Sequence, residues 1–193
     1  MTRRLSFLLI GLATIPVAGL TQEPVTGSAQ RSQSTPANPI STSESKVYSM
    51  LSGVVIAAAE KMPEENYSFK PTPDVRSFGQ LVGHLADSQY YFCSQASGGS
   101  PPSSGSAEKS KTSKADLVAA LKDAVDYCRK AYAAMTDAKG SEPTKMMNMD
   151  VAKLTVLSAN TAHDYEHYGN MVTYMRLKGI VPPTSEKSGG GEK

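Results

Sequence analysis

The chain of 193 residues has no tryptophan, only four phenylalanines, two cysteines and three histidines. It also lacks an excess of either charge, with 20 Lys and Arg against 18 Asp and Glu. Without a basic patch there is no electrostatic footprint for nucleic acid, and no nucleic-acid partner is expected. No repeat of solenoid period is visible, and after the N-terminus no apolar run approaches the roughly 20 residues that a membrane span needs. Two cysteines, Cys93 and Cys128, allow at most one disulfide, where oxidation is permitted. The alternative is a pair of buried thiols packing as small hydrophobes.

The first residues, MTRRLSFLLIGLATIPVAGL, join a basic tip (Arg3, Arg4) to an uncharged apolar run from Leu5 to Val17 and small residues at Ala18 and Gly19. This is the layout of a secretory signal peptide, taken here as 1–21, with cleavage after Gly19, Thr21 or Ala29. The expected destination is periplasmic or secreted, without stable membrane insertion once the leader is removed. A retained N-terminal anchor is the alternative. Loss of Arg3 and Arg4 would bring the mature chain close to zero net charge. From Gln22 to Thr42 the chain is Ser, Thr, Pro, Gln and Asn with almost nothing apolar, a composition that cannot repay the entropy of ordering. It reads as a flexible linker, 22–42, ahead of a folded domain at 43–184 and a flexible tail at 185–193.

Within the domain four helices are expected. The first is capped around Ser43 and runs to about Met62, with Val47, Met50, Leu51, Val54, Val55 and Ala58 at helical spacing. The three-proline segment Pro63 to Ser77 reads as an extended connection lying over the domain. A second helix runs from about Asp74 or Ser77 to Ala96, with Phe78, Leu81, Val82, Leu85, Gln89 and Phe92 inward and His84 on the shoulder of that stripe. The long, breaker-rich SGGSPPSSGSAEKSKTS provides a crossover. A third helix, about Lys114 to Thr136, turns Leu117, Leu121, Ala124, Val125, Cys128, Tyr132 and Met135 to one side. A polar loop, Asp137 to Thr144, and an ambiguous MMNMD lead to a fourth helix from about Ala152 to Lys178, stopped by Gly179. This last helix is apolar on two faces. Leu154, Leu157, Thr161, Tyr165, Tyr168, Val172 and Met175 share one, and Val156, Asn160, His163, His167, Met171 and Tyr174 nearly the opposite one. One face belongs on the bundle, the other on further core or a partner subunit. The fold class is all-α: a four-helix bundle with a long crossover between helices 2 and 3.

The chemistry concentrates in the histidines. His163 and His167 are four apart, on one face of the fourth helix, where one ion reaches both imidazoles. With His84 they account for every histidine in the chain. Neutral imidazole suits zinc, nickel, copper or iron, and three protein ligands with open positions is the pattern of a catalytic rather than a structural site. An ion so held lowers the pKa of bound water or binds a substrate thiol as thiolate. Asp87, three residues after His84, and Asn160, three before His163, are candidates to orient an imidazole. Ser88, Tyr91 and Tyr174 are candidate pocket-lining residues.

His163-Asp164-Tyr165-Glu166-His167 also fits H-x-x-E-H, the inverted zinc-protease motif with Glu166 as base. That reading needs a downstream acidic third ligand, and only Glu186 and Glu192 follow, while Glu166 points away from the histidine face.

SFGQLVGHLADSQYYFCS around His84, with NTAHDYEHYGNMVTYMRLKGIVPP around His163 and His167, resembles the DinB-like (damage-inducible B) family over about Ser43 to Thr184. The resemblance implies a four-helix bundle with a long crossover, His84, His163 and His167 as ligands of a divalent ion, zinc or nickel, and a homodimer. It further implies a metal-dependent hydrolase or thiol S-transferase-like enzyme acting on a small-molecule substrate that sequence does not identify. The leader and the two cysteines depart from the cytoplasmic pattern of that family, and low-molecular-weight thiols are mainly cytosolic. Non-catalytic metal or small-ligand binding, and a helical dimerisation domain, are the alternatives.

Overall fold

The computed structural model describes residues 37–101 and 106–186. The leader, most of the linker, part of the crossover and the tail from 187 lie outside the described residues. Four long helices dominate: α1 (Pro39–Lys61), α2 (Phe78–Ser97), α4 (Lys114–Ala134) and α6 (Lys153–Leu177). Two short helices, α3 (Ala107–Ser110) and α5 (Asp137–Gly140), and a hairpin, β1 (Pro143–Met146) and β2 (Met149–Ala152), fill the connections. Among the described residues no helix is long and apolar enough to cross a membrane.

Cross-helix contacts give the topology. The Gly79 position of α2 meets Leu117 of α4 near the start of both helices, and Cys93 meets Cys128 towards their ends, so these helices run parallel. Such a pair cannot be joined by a tight turn, and the long crossover is what its geometry demands. Tyr48 of α1 stacks on Tyr132 of α4, ring centroids 4.0 Å apart, and Lys122 pairs with Glu60 at 2.6 Å, so that pair is antiparallel. Arg76, just ahead of α2, meets Tyr174 late in α6, His84 meets His163, and Gln89 meets Asn160 earlier in α6, so this pair is again antiparallel. The order is up-down-down-up, an all-α bundle as expected.

Sequence and structure part at the start of α1. The helix begins at Pro39 rather than at a Ser43 cap, and Ser43 Oγ instead donates to the Pro39 carbonyl within the helix, at 2.7 Å. The caps come from far along the chain. Asp137 accepts from Ile40 N (3.2 Å) and Ser41 N (2.8 Å), and Asn38 Oδ1 accepts from Asp137 N (3.0 Å). Proline in the first turn loses no needed N–H, which suits it to that place. The inward stripe also differs: Val47 and Met50 are exposed, whereas Tyr48, Leu51, Val55 and Ala58 are buried.

The other long helices follow the expected stripes. Ser77 caps α2 in a reciprocal box with Gln80, and Phe78, Leu81, Val82, Leu85, Gln89 and Phe92 are all buried. Ser113 caps α4, which ends at Ala134; Thr136 then caps α5. The ambiguous MMNMD is the tip of the hairpin, Met147 and Asn148 both having left-handed φ (46° and 67°). Two left-handed residues match the twist of a two-residue hairpin. A methionine in the first position hides that signal from the sequence.

The α6 helix is central. Leu157, Thr161, Tyr168 and Met175 are buried on one side, and Val156, Asn160, His167, Met171 and Tyr174 on the other; Tyr165 alone of the expected residues is exposed. Both faces are thus taken up largely by further core of the same chain. Gly179, with φ 72°, sits just past the helix end, a conformation that costs glycine nothing.

The cysteines are joined. Cys93 and Cys128 form a fully buried disulfide with Cα atoms 5.3 Å apart, tying α2 to α4 across 35 residues of sequence.

Candidate metal centre

The three histidines meet where α2 and α6 cross. His84 Nε2 lies 3.1 Å from His163 Nε2, and His163 Nε2 lies 3.1 Å from His167 Nε2. A neutral imidazole carries one N–H, so a single Nε2 cannot make two good hydrogen bonds to two other Nε2 atoms and still leave each ring its ordinary partner at Nδ1. Nitrogens bound tetrahedrally at about 2.0–2.1 Å from one zinc ion lie roughly 3.4 Å apart, close to these spacings. The possible ligand atoms of the three residues all fall within 4.8 Å of one another. The donor set and its convergence fit a divalent cation.

Electrostatics favours the neutral, ligand-ready form. Burial pushes the His163 imidazole down to about 4, with the neighbouring His167 and His84 adding to the effect. His84 is lowered by burial and then by Arg76, with Glu108 opposing. His167 is lowered by burial and by His84, with Glu166 opposing. The ring of Phe92 stands 5.6 Å from that of His163 and supplies an apolar wall.

The residues expected to orient the imidazoles do something else. Asp87 accepts from Ala107 N (2.7 Å), Glu108 N (3.1 Å) and Ser106 Oγ (2.9 Å), holding the start of α3. The carboxylate against His84 is that of Glu108, whose Oε2 lies 3.3 Å from His84 Nδ1. Asn160 turns its amide nitrogen to Gln89 Oε1 (3.0 Å) and the Tyr132 hydroxyl (3.3 Å), leaving His163 Nδ1 without a hydrogen-bond partner among the described residues. Asn170, one turn beyond His167, has its amide 3.4 Å from His167 Nδ1. A flip of that amide presents its oxygen to Nδ1–H, the tautomer that frees Nε2.

Behind the histidines lies a buried polar network. Gln89 Nε2 donates to both oxygens of Asp164, and Tyr48 OH donates to Gln89 Oε1 at 2.9 Å. Asp164 is fully buried, and burial pushes its carboxyl up to about 7, with the Gln89 bonds opposing. Its place one turn after Asn160 on the buried face was the available sequence signal. Glu108 had none, since the crossover has no period to read.

A cavity of about 550 Å³ opens beside His167, lined by Lys70, Arg76, Gln80, Glu108, Glu166, Asn170 and Tyr174 among others. Tyr174 is therefore at the site, its hydroxyl donating to the Arg76 carbonyl at 2.8 Å. Ser88 instead donates to the His84 carbonyl at 2.8 Å, and Tyr91 is exposed, away from that lining. Glu166 is on the exposed rim, and Glu186 pairs with Lys61, so neither completes an inverted protease site; Glu192 lies outside the described residues.

A profile described as the DinB superfamily matches residues 53–171, more than half of the chain. Similar solved structures include a DinB-like protein from Bacillus cereus ATCC 10987 (TM-score 0.66, 14% identity, 74% of this chain and 95% of that one). Another is a DinB-like protein from Bacillus subtilis (TM-score 0.61, 20% identity, 76% and 99%). At these identities the likeness is one of fold. No curated protein matches the chain.

Proposed function

We propose that this chain, which belongs to the DinB superfamily, binds one divalent cation, zinc or nickel, through Nε2 of His84, His163 and His167. The observation that carries the reading is the convergence of those three atoms, with two spacings of 3.1 Å. Bound there, such an ion supplies Lewis acidity at its open positions. The chain's own residues supply the rest. Phe92 walls one side of the centre, and the cavity beside His167 admits a small molecule between Lys70 and Arg76 on one hand and Glu166 and Asn170 on the other. Of the two reactions considered, hydrolysis is favoured over thiol transfer. The buried Cys93–Cys128 disulfide suits an oxidising compartment, as does the leader-like N-terminus, and small thiol cofactors are scarce there. Export and a homodimer are parts of this proposal. Metal analysis of the full chain, purified without a histidine tag or chelator, tests it beside the His84/His163/His167 triple alanine variant. About one equivalent of zinc or nickel, absent from the variant, is the expected result. A metal-free wild type that zinc and nickel fail to stabilise would leave the non-catalytic readings instead.

A further inference from the structure

The crossover between α2 and α4 carries one charged side chain into the histidine cluster, and two positions of α2 make that possible. The first is Gly83. A Cβ built there would lie 2.6 Å from Glu108 Cα and 2.7 Å from Glu108 N, both backbone atoms, so only glycine lets α3 approach this closely. The second is Asp87, one turn on, which holds Ser106, Ala107 and Glu108 through three hydrogen bonds. Docked in this way, Glu108 has one oxygen 3.3 Å from His84 Nδ1 and the other accepting from Arg76 Nε at 2.9 Å. Its side chain is only 22% exposed. Arg76 is itself tied down, its carbonyl receiving the Tyr174 hydroxyl at 2.8 Å.

We propose that Glu108 is a positioning residue of the centre: its Oε2 accepts from His84 Nδ1–H, fixing the tautomer whose Nε2 lone pair faces His163 and His167, while Arg76 fixes the carboxylate. The inference rests on the reading of the three histidines as ligands. A metal-bound histidine commonly donates its second N–H to a carboxylate, which sets the ring orientation and raises its basicity. At 3.3 Å the pair is an ion-pair contact slightly longer than a usual N–H···O bond. An ion pair serving only to dock α3 would need Arg76 and Glu108 and would be indifferent to which nitrogen of His84 carries the proton.

That difference decides the experiment. Histidine-¹⁵N NMR on the metal-free full chain reads the tautomer of each ring, and a chelator-competition titration reads zinc affinity. In the wild type His84 is protonated at Nδ1. In Glu108→Ala that preference is lost and zinc binds about 10–100-fold more weakly, while the signals of His163 and His167 keep their wild-type tautomers. Glu108→Gln, whose amide oxygen still accepts from Nδ1–H, retains the tautomer and most of the affinity. Gly83→Ala provides a second route, displacing the Glu108 backbone without altering either partner, and produces the same change at His84. An unchanged His84 tautomer in Glu108→Ala, or in Gly83→Ala if the former does not fold, overturns the proposal. A wild type that binds no zinc overturns the proposed function instead, and the metal-free tautomer still decides for or against Glu108.

Discussion

Gln89 on α2 donates to both carboxylate oxygens of Asp164 on α6, at 2.7 and 2.9 Å, inside the core. A buried acid with one amide donor and no cation holds its proton more firmly folded than unfolded. With a folded value of about 7 against 3.8, the native state binds the extra proton between those values. Stability contributed by this group is therefore full below about pH 4 and lost as pH rises to 7. The three histidines act in the opposite sense, since buried neutral imidazoles destabilise the fold as pH falls. The difference between wild type and Asp164→Asn isolates the acid. Denaturant unfolding from pH 4.5 to 7.5 is expected to show the wild type losing stability relative to the variant, by at most about 3 kcal/mol. A constant difference would mean that Asp164 is not the titrating group.

The same reasoning governs metal affinity. Protons compete for an imidazole only below its folded pKa, and His163 is pushed down to about 4. With His84 and His167 lowered as well, zinc affinity is expected to hold as pH falls to 6.5 and to decline only below it, as read by competition titration in a non-coordinating buffer. A decline already under way above 6.5, the value of an unperturbed histidine, would indicate solvated imidazoles.

The disulfide makes a separate prediction. Cys93 and Cys128 close a 35-residue separation and are both fully buried. Their loss should cost about 3–4 kcal/mol by the chain-entropy argument, measured as the shift in urea unfolding between wild type and the Cys93→Ala/Cys128→Ala double variant. No thiol should react in the oxidised protein, even in denaturant. Two reactive thiols after purification under non-reducing conditions would go against the bridge.

Glu166 fits an inverted protease motif in sequence but sits on the exposed rim of the cavity. Glu166→Ala should leave zinc stoichiometry unchanged and affinity within a few-fold. Loss of the metal would return this glutamate to the ligand set.

How much of this was legible beforehand depends on distance along the chain. The α2 stripe from Phe78 to Phe92 and the two-sided α6 followed from helical phase, because each residue's neighbours are fixed within a turn. His84, His163 and His167 could be grouped because a scarce residue type at i,i+4 spacing narrows the choices. Apart from the phase of α1, where Val47 and Met50 are exposed rather than inward, the misses are long-range or irregular. Asp137 caps a helix 96 residues earlier, and Glu108 reaches His84 from a crossover without period. Asp87 and Asn160 had the right spacing to support histidines but found stronger partners, namely the exposed N–H groups of α3 and the Gln89 amide. Spacing nominates neighbours on one helix and is silent about competitors from another.

The central claim is the three-histidine centre, and X-ray absorption at the zinc edge of the zinc-loaded full chain counts its ligands directly. The account predicts three imidazole nitrogens at about 2.0–2.1 Å, the remainder oxygen and no sulfur, with one imidazole fewer in His84→Ala. A sulfur scatterer, or a spectrum that His84→Ala leaves unchanged, would contradict it.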